Sequence, residues 1–441
     1  MGGKSKSVRF TVLELLNRMD KNGYSNIVLD SAISSGNISQ KDKGFASRLF
    51  YGVLERRLTL EYIISKYSSR PLRKLDPSVL NILEMGIYQL LYMDSVPDNA
   101  AVNESVLLTK QCGKSSASGL VNAVLRSFIR DGKRVEFPGD RFERLSVEYS
   151  CGTDLVKLLC KDYSYEKAEN FLKNSLTPHK TYIRTNTLKT DSRKLAEAFE
   201  KLGKYTEVCG NVPGCIAVEY LGGVEDMELF RQGMFHVQDL SSQMCCKALD
   251  PKPGETLIDV CAAPGGKTFT CAEMMNNRGR IIACDLHEKR VNLIKSDAER
   301  LGISIIEAVQ NDSSAVNGEF PAADKVLCDV PCSGFGVIRS KPEIKYTDME
   351  SVKGLPEIQH KILSAAASCL KAGGELVYST CTLNKAENDD VIDKFLSEHK
   401  DFEPVPAAPW LNRQENGYKL TIFPEEFDCE GFFISKIRRK V

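Results

Sequence analysis

Histidine and tryptophan are scarce in this chain of 441 residues, with five of the first and one of the second. No two of its cysteines stand in a C-x-x-C pair. With so few histidines and no C-x-x-C pair, no metal site is expected. The cysteines number fifteen, odd and scattered. That speaks against a disulfide framework and fits a reducing cytoplasm, which would leave thiols free for chemistry. No apolar run is long enough to cross a bilayer. Glu14 and Asp20 sit within the first helical pattern, so neither a signal peptide nor a membrane span is expected. "MGGKSKS" offers Gly2 but places Lys6 where a myristoylation signal needs Ser or Thr. Net charge is absent as well, 59 Lys/Arg balancing 59 Asp/Glu. The balance hides an asymmetry. Residues 1–145 hold 22 Lys/Arg and 15 Asp/Glu, a net of +7, which leaves −7 for the rest. A basic N-terminal third points to nucleic acid; an ordinary solvated helical surface is the competing reading.

What is present is a hydrophobic share of 42% and a charged share of 27%, the balance of a globular protein. The length calls for several domains. The first third reads as helices. Val8, Val12, Leu15, Leu16 and Met19 recur on one helix face. In "LDPSVLNILEMGIYQLLYM", Asp76 is a natural N-cap and Pro77 a first helical residue, and the apolar density predicts a central helix. "GLVNAVLRSFIRDGK" predicts another, stopped near Gly132. Next comes a small α/β pattern: "KTYIRTNTLK" as a strand, "DSRKLAEAFEKLG" as a capped helix ended by Gly203, and "GCIAVEYL" as a strand. From Pro251 the pattern is strand, turn, helix, repeated. It predicts a parallel sheet covered on both faces, with ligands at the carboxyl ends of its strands.

"DVCAAPGGKT" (259–268) is a glycine-rich turn between a strand and a helix. A P-loop would need glycine at Cys261. A dinucleotide fingerprint would need G-x-G-x-x-G where Ala263-Pro264-Gly265-Gly266 stands. Close backbone approach to a nucleoside without phosphate needs only Gly265 and Gly266. Asp285 is read as ending the next strand, facing ribose hydroxyls, and Asp312 as ending the one after, facing an adenine amino group. Acidic strand ends without an anion cradle suit S-adenosylmethionine. The expected cofactor residues are Cys261, Ala262, Ala263, Pro264, Gly265, Gly266, Lys267, Asp285, Asp312 and Asp329.

Two further strands, "KVLCDVPCSG" and "GGELVYSTCT", end near Cys332 and Cys381, at the same sheet edge. Buried packing is the commoner fate of cysteine. A thiolate that adds to C6 of cytosine, however, makes C5 nucleophilic, and a carboxyl at N3 assists; such covalent catalysis needs an environment that favours thiolate. Asp329 of "DVPC" is placed for N3. Cys332 stands where enzymes that methylate amino groups carry a stacking aromatic, which favours pyrimidine C5 over an exocyclic amine.

"DVCAAPGGKT", "DVPCSGFGVIRSKPEIKY", "LPEIQHKILSAAASCLKAGGELVYSTCTLNKAEN" and "EGFFISKIRRK" resemble the NOL1/NOP2/Sun family of RNA cytosine-C5 methyltransferases. "RTN" (184–186) and "GMFHVQDLSSQ" (233–243) match motifs that precede its catalytic domain. "FASRLFYGVLERR" and "ASGLVNAVLRSF" resemble the NusB-like RNA-binding domain of one bacterial branch. The resemblance implies an all-α NusB-like domain over 1–145, a small α/β (RRM-like) module over 146–240, and an α/β Rossmann-like class I methyltransferase domain over 241–441. It implies that Cys381 is the nucleophile and that Cys332 helps release the product. DNA cytosine-C5 enzymes attack with the Pro-Cys thiol, so Cys332 as nucleophile is the alternative. The implied partner is RNA, with 16S ribosomal RNA expected and tRNA or another RNA as alternatives. A cytoplasmic monomer is expected, without membrane contact. Arg339-Ser340-Lys341-Pro342-Glu343 and "FDCEGFF" depart from the family pattern. An RNA-binding scaffold without catalysis and a dinucleotide oxidoreductase are the competing classes. Intact Asp329, Cys332 and Cys381 oppose the first, and the 259–268 loop opposes the second.

Overall fold

The helix Pro77–Tyr92 is the axis of the N-terminal region. Asp76 caps it, its carboxylate accepting from Ser78 N, and Pro77 takes a first-turn position where a missing N–H costs nothing. Val79, Ile82, Leu83, Met85, Ile87 and Leu90 are all buried, so neighbours surround the helix instead of flanking one stripe. Helices Val8–Met19, Lys43–Glu55, Arg57–Tyr67, Asp98–Gln111 and Ser118–Arg130 pack against it. The approach is close enough to demand glycine: a Cβ on Gly52 would run into the Tyr88 ring. The computed structural model describes residues 7–19, 25–34, 36, 38–219, 221–315, 320–411 and 417–441. Gly2, Lys6 and Asp20 lie outside the described residues.

The chain divides into two units, the first comprising Met1–Leu176 together with Ile338–Thr347. Helices Arg141–Glu148, Thr153–Asp162 and Tyr165–Asn174 extend the helical unit beyond the expected boundary at 145, burying Leu145, Leu155, Val156, Leu159 and Phe171. The segment 338–347 is anchored among these helices. Lys345 is fully buried, its Nζ 3.4 Å from both Glu55 O and Tyr149 O. Tyr346 Oη donates to Leu54 O at 2.6 Å, and Gly152 N donates to Lys345 O at 2.8 Å. Burial lowers the Lys345 ammonium to about 8.

The second unit, Thr177–Val337 with Asp348–Val441, holds two sheets. The strands β1 (Thr181–Thr185), β2 (Thr206–Val208), β3 (Cys215–Val218) and β4 (Phe235–Val237) form an antiparallel sheet in the order β2-β3-β1-β4. The larger sheet contains β5 (Thr256–Asp259), β6 (Arg280–Asp285), β7 (Ile306–Gln310), β8 (Ala323–Asp329), β9 (Leu370–Thr380), β10 (Phe402–Pro404), β11 (Lys419–Ile422) and β12 (Phe432–Arg439). Its order is β10-β12-β9-β8-β5-β6-β7, with β11 paired to β12. Strands β5 to β9 pair in parallel, as expected. Beyond β9 the pairing changes: β12, from "EGFFISKIRRK", runs antiparallel to β9 and makes the sheet mixed. Its alternation is masked by charge, because Lys436 and Arg438 leave the core to meet Glu375 at 2.9 and 2.7 Å. The two sheets share a core that includes Tyr182, Met244, Leu257 and Phe269.

Candidate active site

The sheet order places a switch point at β5, with β6 on one side and β8 on the other. Parallel α/β sheets bind ligands in that crevice. Residues 260–266 turn there from β5 into the helix Gly266–Met274. Ala262 N donates to Cys284 O at 2.7 Å, and Gly265 N to Ala262 O at 2.8 Å, so the turn is tied to β6 and to itself. Gly265 has φ +110°, and a Cβ there would strike the Phe269 ring; both conditions require glycine. The turn borders a cavity of about 200 Å3, whose walls also include Gln238, Asp259, Lys267 and Asp329.

Most of the expected cofactor residues meet in this cavity: Cys261, Ala262, Ala263, Pro264, Gly266, Lys267 and Asp329 all line it. Lys267 Nζ lies 2.7 Å from Asp329 Oδ2, and Asp329 Oδ1 accepts from Ser379 Oγ at 2.6 Å. Burial alone would lower the Lys267 ammonium, but Asp329 together with Cys245 and Cys246 raises the group above its ordinary value. Asp285 does end β6 and is buried, but its carboxylate is engaged, accepting from His287 N at 3.1 Å and lying 3.3 Å from Arg290 Nη1. Arg290 Nη2 also donates to Ala263 O at 2.7 Å and so joins Asp285 to the turn. Asp312 departs from expectation. Strand β7 stops at Gln310, and Asp312 is exposed, accepting from Ser314 N and Oγ within its own turn.

The two sulfurs do converge. Strands β8 and β9 pair in parallel with Asp329 opposite Ser379, so Cys332, three residues past β8, reaches Cys381, one residue past β9. Their Sγ atoms are 3.2 Å apart; neither is in a disulfide, and both residues are partly exposed. The hydrogen bond with Cys381, and then burial, raise the Cys332 thiol well above its ordinary value.

Sequence reading missed four residues here. Asp259 is buried at the end of β5; its Oδ2 accepts from Thr268 Oγ1 at 2.6 Å, while its Oδ1 has no protein partner. Burial raises the Asp259 carboxyl to about 7, despite the Thr268 bond, and Asp329 adds to the rise. Gln238 Nε2 is buried without a partner, although Gln238 Oε1 accepts from Thr270 Oγ1 at 2.6 Å. Asp259 opens the quoted "DVCAAPGGKT" and is a strand end like Asp285, so the signal was available. Glu387 and Asn388, in "NKAEN", lie beneath the cysteines, and no periodicity marks them.

A Rossmann-like sheet with a nucleoside-sized, carboxylate-lined cavity at its switch point, an antiparallel module and a helical unit define a multidomain protein with a class I methyltransferase fold. Residues 246–438 match the family "16S rRNA methyltransferase RsmB/F", and residues 6–130 match the NusB family. A probable ribosomal RNA small subunit methyltransferase B of Bacillus subtilis (strain 168) is 38% identical over 99% of this chain and 100% of its own. A second, from Synechocystis, is 33% identical over 99% of both chains. The chain belongs to the RsmB/F family of 16S rRNA methyltransferases. Among solved structures, a methyltransferase homolog protein from Pyrococcus horikoshii matches with TM-score 0.60 at 27% identity, over 68% of this chain and 99% of that one. The fold of the protein PH0851 matches over the full length of both chains, with TM-score 0.84 at 24% identity.

Proposed function

We propose that the protein transfers a methyl group from S-adenosylmethionine to C5 of a cytosine in 16S ribosomal RNA, through a covalent bond between Cys381 and C6. The observation that carries this reading is the approach of Cys332 and Cys381, 3.2 Å apart, just past the ends of the paired strands β8 and β9, with Asp329 at the end of β8. The cavity suits the cofactor chemically. Asp259 Oδ1 is a buried acceptor and Gln238 Nε2 a buried donor, both unpartnered, and they match the ammonium and carboxylate of an amino acid. Residues 261–267, Asp259 and Gln238 would hold it, with Asp285 at the ribose and Asp312 at the adenine amino group. When bound, it supplies an electrophilic methyl group on a sulfonium sulfur.

Cys381 as thiolate forms a bond to C6, and the displaced electron pair makes C5 a nucleophile. N3 takes up a proton from solvent as the bond to C6 forms, and the Asp329 carboxylate, paired with Lys267, accepts a hydrogen bond from that N3–H. After C5 has taken the methyl, a base removes the C5 proton, the electron pair re-forms the C5=C6 bond, and Cys381 leaves C6 as thiolate. Cys332 assists this release. The 3.2 Å contact with Cys381 places the Cys332 thiol beside the bond that must break. The target base must leave its stack to enter, at a cost of a few kcal/mol, about 2–3. The basic helical unit and the antiparallel module are assigned to gripping the RNA, in the cytoplasm.

The test is denaturing electrophoresis of variants incubated with substrate RNA and cofactor. Cys381→Ala should give neither adduct nor product. Cys332→Ala should methylate but remain bound to RNA through the gel. An adduct with Cys381→Ala and none with Cys332→Ala would reverse the roles; full activity in both would end the proposal.

A further inference from the structure

Two adjacent buried side chains hold the two cysteines. Glu387 is fully buried and accepts four hydrogen bonds: from Ser333 N and Oγ at 2.9 and 2.6 Å, from Gln359 Nε2 at 2.9 Å, and from Asn384 Nδ2 at 2.9 Å. Gln359 Nε2 also donates to Pro331 O at 3.0 Å. Both residues that flank Cys332 are therefore tied to Glu387, Ser333 directly and Pro331 through Gln359. Asn388, also fully buried, does the same for Cys381. Its Oδ1 accepts from Thr380 Oγ1 at 2.5 Å, and its Nδ2 donates to Thr382 O at 2.9 Å. The halves are joined: Ser333 Oγ spends its proton on Glu387, so Thr382 Oγ1 donates to it at 2.7 Å.

We infer that Glu387 and Asn388 are positioning residues that act through different cysteines, Glu387 setting Cys332 and Asn388 setting Cys381. This rests on the functional reading above. Neither residue touches substrate, since both are enclosed. A carboxylate with four lone-pair sites can accept four bonds, whereas an amide in its place would turn N–H against N–H. A buried carboxylate that only stabilised the fold would not need to be tied to both neighbours of one reacting thiol, to Ser333 directly and to Pro331 through Gln359.

Two measurements test the assignment on the full-length protein. The first needs neither RNA nor cofactor. Phenylarsine oxide bridges two neighbouring thiols, and subtracting the binding seen with Cys332→Ala isolates this pair from the other thirteen cysteines. Glu387→Gln and Asn388→Ala should each weaken the isolated capture at least ~10-fold, because small displacements of reacting groups are expensive. The second is the adduct gel. Glu387→Gln should accumulate RNA adduct as Cys332→Ala does, and the double variant should accumulate no more than Cys332→Ala alone. Asn388→Ala should instead form adduct at least ~10-fold more slowly. Cofactor affinity should stay within about twofold of wild type in both, as neither residue lines the cavity. Should Glu387→Gln fail to fold, Ser333→Ala keeps the backbone bond and should show the same adduct accumulation to a smaller degree. Equal loss of adduct from Glu387→Gln and Asn388→Ala, or unchanged arsenical capture in both, overturns the inference. Absence of adduct in Cys332→Ala itself would instead overturn the functional reading, with the arsenical result still reporting on the clamp.

Discussion

Lys267 Nζ and Asp329 Oδ2 form a 2.7 Å ion pair in the wall of the cavity beside the glycine turn, between the helix after that turn and the end of β8. The pair sets the charge at the place where a base would be held. Lys267→Met would leave the Asp329 carboxylate unpaired in a largely enclosed site. Loss of one partner of a buried pair costs about 3 kcal/mol. The expected result is a lower denaturation midpoint together with a fall of ~10²-fold in methyl transfer, the scale for losing one electrostatic contact to a transition state. A variant with unchanged kcat would remove Lys267 from the site chemistry.

Asp259 should make cofactor binding depend on pH. Its carboxyl is raised to about 7, with Lys267 and Asp329 the charged groups facing it. A folded value above the ordinary 3.8 means that the free protein holds a proton the unfolded chain has lost, so this group's contribution to stability falls as pH rises from about 4 to 7. A cationic ligand favours the ionised form. S-adenosylmethionine should therefore bind more tightly as pH rises from 6 to about 8, with proton release visible in calorimetry across buffers of different ionisation enthalpy. Asp259→Asn should flatten this dependence; a wild type that is already flat would contradict it.

Lys345 predicts a second pH effect, in the helical unit. Its ammonium is lowered to about 8 by burial, with Cys151, Glu55 and Arg56 facing it. A base with a depressed folded value is charged at a cost below that value. Stability should rise as pH increases from about 8 toward 10.5. The facing Cys151 thiol, raised to about 12, works the other way once pH exceeds 9. The clean window is thus pH 8 to 9. Thermal unfolding across it should show an upward slope in wild type and a flatter one in Lys345→Met.

RNA affinity should fall steeply with salt, since residues 1–145 carry a net of +7 and phosphate neutralisation releases counterions. Titration of the full-length protein with ribosomal RNA fragments should give a linear plot of log affinity against log salt, with a negative slope of several units. A flat plot would assign the basic region to protein docking.

Much of the fold was legible because its local rules agree. Asp76 and Pro77 announce a helix start, Gly203 (φ +74°) ends the helix Ser192–Lys201, and alternating strand and helix patterns announce a parallel core. The strand end expected at Asp312 and the unread strand β12 have different causes. Strand β7 lies at the sheet's edge, where burial is incomplete and the period weakens, whereas β12 is an inner strand whose alternation is masked by Lys436 and Arg438. Asp259 was quoted but given no role, because an aspartate at a strand end looks alike whether its second oxygen has a partner or none.

The amino-acid sequence by itself determined the chemical inventory: two thiols in strand-end motifs, a glycine turn unsuited to phosphate, acidic residues after successive strands, and a basic helical third. These are local properties, set by residue type and spacing within one element. Tertiary structure alone decided which of them meet. Cys332 and Cys381 are 49 residues apart along the chain and come within 3.2 Å only because β8 and β9 pair in parallel with Asp329 opposite Ser379. The clamp of Glu387 and Asn388 depends on the same register, since hydrogen bonds between distant segments are specified by how strands and helices stack, which no stretch of sequence encodes alone.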